Sequence, residues 1–218
     1  MPKTIGAVIF PGFELLDLFG PLEMFGMLED APDIRMVAAT MDPVKSRQGP
    51  ASVVDATFAE GSAFDLLLVP GGPGTRPGVE DSGLIGWLSE ASDASDLVTT
   101  VCTGSALLAR TGRLDGIAAT SNKAAFAWVK EQGPKVDWKP EARWVEDGKF
   151  MTSSGVSAGM DMALAAIQRL YGAAEAERVQ GFGRLRTCRC AWKAPRMMPR
   201  TEACSIKEPW ICHSCKLS

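Results

Sequence analysis

Histidine is almost absent from this 218-residue chain, which has one, His213, near its end. The first 180 residues contain no histidine and a single cysteine, Cys102. Hydrolases with a serine or cysteine nucleophile usually pair it with an imidazole, which takes the proton from the nucleophile. The composition therefore disfavours a Cys–His dyad for peptide or glutamine hydrolysis in the body of the chain.

Long apolar runs and an excess of positive charge are also missing. No run approaches the roughly 20 residues that span a bilayer, and a net charge of −3 gives no electrostatic surface for nucleic acid. The chain leads from Met1 directly into a strand-like segment, Ile5–Phe10, without the pattern of a signal peptide. We therefore expect a cytoplasmic protein with neither a nucleic acid nor a membrane as partner.

Charge and cysteine content change abruptly near residue 180. Residues 1–180 hold 15 Lys/Arg and 24 Asp/Glu, whereas residues 181–218 hold 8 and 2, together with five of the six cysteines. The second part has no sustained hydrophobic period, so we predict an irregular or disordered tail. It lacks the two Cys-x-x-Cys pairs typical of structural zinc sites, and we expect no metal there. A reading-frame change in the source sequence and a genuine basic extension both explain such a tail, and the intact mass of protein from native cells distinguishes them.

Residues 1–180 alternate between strand-like and helix-like segments. The predicted strands are Ile5–Phe10, Ile34–Ala39, a pair or hairpin within 44–57, Asp65–Val69, a segment ending at Val101, Ile117–Thr120, Val136–Trp138, Ala142–Val145 and Lys149–Thr152. The predicted helices are Phe13–Met27, broken at Gly20-Pro21, Leu84–Ala91, a segment that follows Cys102 and ends at Thr111, Ala124–Glu131, Ser157–Tyr171, and Ala173–Gln180. Ser157 can cap the helix that it begins. This alternation predicts an α/β fold with a doubly wound, mostly parallel sheet sandwiched by helices, as in flavodoxin-like proteins.

Cys102 stands where an apolar strand-like segment stops and a helix-like segment begins behind Thr103, Gly104 and Ser105. This pattern is typical of a nucleophile elbow, a sharp strand-to-helix turn that presents one side chain at the carboxyl edge of a parallel sheet. A thiol there faces the positive end of a helix, which favours the thiolate. We therefore interpret Cys102 as a nucleophile rather than a buried structural cysteine.

Three predicted strands end in loops that we expect to converge at one edge of the sheet. The junctions are Phe10 into Pro11-Gly12, Val69 into Pro70-Gly71-Gly72, and Val101 into Cys102. Ligands of doubly wound sheets bind at such edges. Gly71 and Gly72 allow close approach of the backbone to a substrate, and their amides can stabilise a negative charge beside the sulfur.

Asp17 lies among apolar residues in the first predicted helix. Apolar neighbours desolvate a carboxylate and raise its pKa, which suits it to hold or donate a proton. A carboxylate near the start of a helix can also serve only the helix dipole, but Glu14, one turn earlier, fits that role better. Asp17 is therefore the candidate acid of the site.

Five segments resemble the ThiJ/PfpI superfamily, in the order that the superfamily has them. They are 9–23 (IFPGFELLDLFGPLE), 67–74 (LLVPGGPG), 101–105 (VCTGS), 112–116 (GRLDG) and 154–164 (SGVSAGMDMAL). Within the superfamily, which has a class I glutamine amidotransferase-like fold, they are most similar to the isocyanide hydratase branch. The resemblance covers about residues 4–180, so residues 1–180 are predicted to form one domain and residues 181–218 to lie outside it.

The resemblance implies a lyase that converts an isocyanide and water into an N-substituted formamide. Cys102 attacks the terminal carbon of R–N≡C, and Asp17, where the hydratase branch carries an aspartate, supplies the proton that this carbon gains. Water then hydrolyses the resulting thioimidate. Thr103, by its hydroxyl or amide, and the amides of Gly71 and Gly72 orient the intermediate, and we expect no cofactor or metal to take part.

Other functions remain open at this point. Glyoxalase-like or deglycase-like relatives act on small α-oxoaldehydes with the same cysteine, but such members generally add a histidine that the matching segment, 119–123, lacks. Oxidation of Cys102 to a sulfenic or sulfinic acid would instead make the protein a redox or stress sensor. AraC-type regulators share the motifs but append two helix-turn-helix units of about 100 residues, whereas 38 residues follow Gln180.

The resemblance also implies a homodimer. The first predicted helix is rich in apolar residues for a surface helix, namely Leu15, Leu16, Leu18, Phe19 and Leu22. They form either the interface of such a dimer or an ordinary core face.

Overall fold

Twelve strands and seven α-helices make up the described part of the chain, which is residues 4–183 and 191–193 of a computed structural model. The strands are β1 (Thr4–Val8), β2 (Asp33–Ala38), β3 (Val44–Lys45), β4 (Ala51–Ser52), β5 (Ala56–Thr57), β6 (Leu66–Val69), β7 (Leu97–Val101), β8 (Ala118–Ala119), β9 (Asp137–Trp138), β10 (Trp144–Asp147), β11 (Phe150–Ser153) and β12 (Ala191–Lys193). The helices are α1 (Leu15–Gly26), α2 (Thr75–Gly78), α3 (Ser82–Ala94), α4 (Gly104–Arg110), α5 (Phe126–Gln132), α6 (Ser157–Tyr171) and α7 (Ala173–Gly183).

Eight of these strands form one sheet in the order β12-β10-β11-β7-β6-β1-β2-β5. Neighbouring strands are parallel except β10 and β11, which form a hairpin that turns at Gly148. The chain starts at β1, builds one side of the sheet through β2, and then crosses to the other side through β6 and β7. The sequence-based prediction of a doubly wound, flavodoxin-like α/β fold is confirmed.

Strands β6 and β7 lie side by side in the middle of the sheet, and each runs directly into a predicted site loop. Every residue of both strands is buried, as expected for parallel strands that are covered on both faces. Val69 at the end of β6 is paired with Thr100 of β7. The two loops that follow therefore leave the sheet next to each other at its carboxyl edge.

Helix α1 packs closely on α6, and this contact brings the first loop toward the other two. A Cβ atom at Gly20 would lie 3.0 Å from Cγ of Met160, and one at Gly159 would lie 3.5 Å from Cγ of Pro21. The predicted break at Gly20-Pro21 is wrong, because α1 continues through both residues. Packing against α6 holds this turn helical although Pro21 has no N–H to donate.

The start of α6 also differs from the prediction. Val156, in the left-handed region with φ of 41°, occupies the N-cap position, and its side chain makes no capping hydrogen bond. Ser157 is the first helical residue, and its hydroxyl accepts a hydrogen bond from Arg143 at 3.0 Å. The predicted hairpin within 44–57 is confirmed by the antiparallel pair β3 and β4.

Most of the predicted tail, with its five cysteines and His213, lies outside the described residues. Residues 181–183 complete α7, and Ala191–Lys193 form β12 parallel to β10. Within the described ranges, no helix combines the length and the apolar character that a bilayer crossing requires.

Candidate active site

Cys102 occupies a strained turn between β7 and α4. Its φ is 56°, a left-handed conformation that costs an L-residue roughly 1–2 kcal/mol. Three hydrogen bonds hold this backbone: the Cys102 amide donates to the carbonyl of Ser153 at 2.9 Å, and the Cys102 carbonyl accepts from the hydroxyls of Ser121 at 2.8 Å and Ser105 at 3.2 Å. The turn is the predicted nucleophile elbow, with its side chain at the carboxyl edge of the sheet.

Glycines let the three loops approach one another. A Cβ atom at Gly104 would lie 2.3 Å from the carbonyl oxygen of Val69 and 2.7 Å from that of Pro70, so the elbow sits directly on the end of β6. A Cβ atom at Gly74 would lie 2.0 Å from the carbonyl oxygen of Pro11, which brings in the loop after β1. The convergence predicted from the three strand ends is present.

Gly71 stands where the candidate residues meet. A Cβ atom there would lie 2.6 Å from the amide nitrogen of Thr103, 2.7 Å from Cβ of Cys102 and 2.9 Å from Oδ2 of Asp17. Any larger residue would collide with all three groups. The structure therefore brings together Asp17, Gly71, Cys102 and Thr103, as the sequence predicts.

Asp17 is fully buried in the first turn of α1. Its Oδ1 accepts a hydrogen bond of 2.8 Å from the amide of Val156, whereas Oδ2 has no partner with hydrogen-bonding geometry among the described residues. Burial raises the pKa of Asp17 from 3.8 to about 6, against the lowering effect of the Val156 amide and the Cys102 side chain, and the charge of Glu14 adds to the rise. The predicted rise in pKa is confirmed.

The pKa of Cys102 moves in the opposite direction from the prediction. Burial, and next to it the negative charge of Asp17, raise the pKa of the thiol from 9.0 to about 12, although the amide and hydroxyl of Thr103 lower it. A helix N-terminus contributes about 0.3–1 kcal/mol at an exposed site, which is less than one pKa unit. The increase in pKa from desolvation and from the Asp17 carboxylate therefore exceeds the decrease from the dipole of the seven-residue helix α4. The prediction that the site favours a thiolate is wrong.

The cysteine and the aspartate consequently share one proton at neutral pH. The pKa of Asp17 is raised to about 6 and that of Cys102 to about 12, so the pair as a whole retains one proton between these values. A carboxylate beside a thiol can take the proton as the sulfur attacks and can return it to another atom. The pair can thus carry out acid–base chemistry without an imidazole.

Thr103 belongs to a buried hydrogen-bond network that the sequence analysis did not foresee. Its hydroxyl accepts from the amide of Gly72 at 3.0 Å. Thr75, which is fully buried, has its hydroxyl 2.7 Å from the carbonyl oxygen of Gly72 and 3.0 Å from the hydroxyl of Thr103. The Thr103 hydroxyl also lies 3.3 Å from that carbonyl as a donor, so the Gly72 carbonyl and the Cys102 sulfur compete for its one proton.

The amide of Gly72 is engaged differently from what the sequence suggests, and Asn122 is a neighbour of the site for which the sequence made no prediction. The amide of Gly72, expected to face an intermediate, donates to the Thr103 hydroxyl instead. Asn122 and Cys102 border the same side of Gly155, since a Cβ atom there would be 3.4 Å from Sγ and 3.5 Å from Nδ2 of Asn122. In the sequence, Thr75 is marked only by its position directly after the glycine-rich loop. Asn122 is marked only by lying in segment 119–123, which lacks the histidine of glyoxalase-like relatives.

Comparisons with known proteins place the chain in one family. Residues 3–169 match the DJ-1/PfpI family. An isonitrile hydratase from Pseudomonas putida is 34% identical over 182 residues, which cover 83% of this chain and 77% of that enzyme. A crystal structure of a ThiJ/PfpI family protein from Pseudomonas syringae is 33% identical and superposes with a TM-score of 0.75, over 84% of this chain and 75% of the other.

Similarity also extends to part of a regulator. The HTH-type transcriptional regulator GbdR of Pseudomonas aeruginosa is 31% identical over 176 residues, which cover 78% of this chain and 47% of the regulator. The shared portion is thus about half of that protein. From the match over residues 3–169 and the identity to the hydratase, the chain belongs to the DJ-1/PfpI family.

Proposed function

We propose that the protein is an isocyanide hydratase, which adds water to R–N≡C and releases an N-substituted formamide. The observation that carries the proposal is a buried Asp17 carboxylate against the Cys102 thiol in a domain whose first 180 residues have no histidine. Such a pair can supply a nucleophile and one mobile proton. Similarity to an isonitrile hydratase supports the same chemistry.

The first step joins sulfur to the terminal carbon of the isocyanide. As the Cys102 sulfur attacks, Asp17 takes the thiol proton and then delivers it to that carbon, which has gained an electron pair. The product is a thioimidate, R–N=CH–S–Cys102, in which every atom of the thiol and the isocyanide is retained. A carboxylate with a pKa near 6 suits this relay, because it is ionised at neutral pH yet basic enough to accept a proton.

The second step hydrolyses the thioimidate. The oxygen of water bonds to the carbon, the nitrogen takes up a proton, the carbon–sulfur bond breaks, and sulfur regains its proton as the formamide leaves. Thr103 faces the sulfur with its amide and hydroxyl, which favours the sulfur as a leaving group. Gly71 gives room for these groups to meet, and Gly72 together with Thr75 orients the Thr103 hydroxyl.

A homodimer is proposed as the assembled form. Leu18 and Leu22 of α1 lie in the core, whereas Leu16 and Phe19 are 53% and 39% exposed on the same helix. Apolar side chains that stay exposed next to each other on a surface helix favour a protein interface.

Loss of the cysteine should abolish turnover, and loss of the carboxylate should lower it strongly. With cyclohexyl and para-nitrophenyl isocyanide as substrates, Cys102→Ala should give no formamide, and Asp17→Asn should lower kcat roughly 10²- to 10⁴-fold, the usual contribution of a general acid–base group. Formamide is followed by absorbance and mass spectrometry. The exposed Asp96→Asn serves as the matched control and should behave as wild type.

Three results would count against this function. Hydration that persists in Cys102→Ala would remove the sulfur from the mechanism. Turnover of a small α-oxoaldehyde, such as methylglyoxal, by folded wild type that leaves isocyanides untouched would favour the glyoxalase-like alternative. Absence of any turnover by unoxidised protein would favour a redox sensor.

Thr75→Val should lower kcat about five- to tenfold at unchanged KM, which corresponds to one lost hydrogen bond of about 1 kcal/mol. Valine keeps the shape of threonine but removes the closest donor from the Gly72 carbonyl, which retains only the amide of residue 75 and then competes more strongly with sulfur for the Thr103 proton. Steady-state kinetics measures the change, and Thr75→Ser should restore the rate because it restores the hydroxyl. Full activity in Thr75→Val would show that the network does not serve catalysis.

Sedimentation velocity tests the dimer. Wild type should sediment as a dimer, and the double substitution Leu16→Glu and Phe19→Glu should give a folded monomer because it places charge in an apolar interface. Met41→Glu, at an apolar residue that is 56% exposed elsewhere, is the control. A monomeric wild type, or a double variant that remains dimeric, would contradict this interface.

A further inference from the structure

Asn122 has a fixed orientation beside the reacting sulfur. The amide of Ala125 donates a 3.1 Å hydrogen bond to its side-chain oxygen, Oδ1. A backbone N–H can only donate, so the atom that faces it must be the oxygen, and Nδ2 must be on the other side of the side-chain amide. The loop itself is held to the elbow, because the hydroxyl of the preceding residue, Ser121, donates to the Cys102 carbonyl.

The Nδ2 group is a donor without an acceptor. Among the described residues, its N–H groups meet no carbonyl and no side-chain acceptor, since the side chain's hydrogen bond is the one that Oδ1 accepts. The point where a Cβ atom would stand on Gly155 lies 3.5 Å from Nδ2 and 3.4 Å from Sγ of Cys102. Sγ and Nδ2 therefore border the same side of Gly155 and are separated by no more than the sum of these two distances. That separation is comparable with the two bonds from sulfur to the nitrogen of an adduct plus one hydrogen bond.

The chemistry of the adduct supplies the missing acceptor. In a thioimidate, the carbon is bonded to sulfur, and the nitrogen with its in-plane lone pair is the next atom. Asp17 lies on the Gly71 side of the cysteine and already has the role of transferring the proton. The neutral Nδ2 donor of Asn122 lies on the Gly155 side instead. It can donate a hydrogen bond to the thioimidate nitrogen, which has a lone pair and gains negative charge when water adds to the carbon.

We propose that Asn122 is a catalytic residue that donates a hydrogen bond from Nδ2 to the nitrogen of the thioimidate and promotes its hydrolysis. The inference rests on the proposed isocyanide hydration. As the oxygen of water bonds to the carbon, the π electron pair of C=N moves onto nitrogen, where Asn122 stabilises it until nitrogen takes the proton that water releases through Asp17. The C–S bond then breaks, the second proton from water returns to sulfur, and the formamide departs.

This role predicts that the two halves of the reaction respond differently to substitution. Formation of the thioimidate needs Cys102 and Asp17, whereas its breakdown also needs Asn122. Removal of one preorganised donor at a developing charge costs roughly 10²- to 10³-fold in kcat. A variant without Nδ2 should therefore still form the adduct and should accumulate it.

Rapid-quench mass spectrometry of the peptide that contains Cys102 is the test, with para-nitrophenyl isocyanide as the probe. Asn122→Asp keeps an oxygen for the Ala125 amide and replaces the donor, and Asn122→Ser keeps an acceptor without adding charge. In both variants the cysteine should carry the mass of one isocyanide within the first turnover, and kcat should fall about 10²-fold. Asp17→Asn, in contrast, should show no adduct, and wild type should show little because breakdown is fast.

The outcomes separate this inference from the function on which it rests. Folded Asn122 variants that turn over at the wild-type rate, or that lose activity without accumulating the adduct, would overturn the role of Asn122 and leave the hydratase intact. If wild type itself does not hydrate the isocyanide, both proposals fail together. If Asn122→Asp does not fold, Asn122→Ser decides the question by the same two readouts.

Discussion

The burial of the Asp17 carboxylate beside the Cys102 thiol is the interaction on which the rest of the site depends. Its ionised form is costly to bury, since the pKa rises from 3.8 to about 6. At about 1.4 kcal/mol per pKa unit, this costs the folded state about 3 kcal/mol above pH 6. The cost is absent below the ordinary pKa of 3.8, where the group is protonated in both the folded and the unfolded states. At neutral pH the folded protein therefore keeps the Asp17 carboxylate ionised at a cost in stability, in a position where that carboxylate can accept and donate one proton.

Close backbone packing maintains that pair. Glycines at 71 and 104 let the β6 loop touch the elbow, and α1 lies near enough to α6 for the Val156 amide to bind Asp17. The elbow is anchored through its backbone amide and carbonyl rather than through its sulfur. The thiol thus remains available to a substrate while its surroundings are fixed.

Much of this arrangement could be predicted from the sequence because it depends on local patterns. An apolar strand followed at once by Cys102 and a small-residue helix start defines the elbow, and apolar neighbours of Asp17 predict its raised pKa. The sign of the pKa change at Cys102 could not be predicted, because it depends first on burial in the folded site and then on the distance to Asp17, 85 positions earlier in the chain. A helix dipole can be inferred from sequence, whereas the larger effects of burial and a distant carboxylate cannot.

Residues that act through the fold were missed for the same reason. Thr75 and Asn122 carry no local motif, and their importance comes from the carbonyl, hydroxyl and sulfur that packing brings to them. Likewise, Gly20-Pro21 looked like a helix break, yet contact with α6 keeps α1 continuous.

The most direct test of the central claim is the pH dependence of Cys102 alkylation by iodoacetamide in wild type and Asp17→Asn. It should be followed on the peptide that contains residue 102, because five other cysteines lie in residues 188–215. If the carboxylate holds the sulfur in its protonated form, the wild-type rate will keep rising beyond pH 9, the ordinary pKa of a thiol, and Asp17→Asn will shift the curve to lower pH. A wild-type rate that is already constant with pH at neutral pH and unchanged by Asp17→Asn would contradict the claim that the pair shares one proton. It would instead support a free thiolate at Cys102.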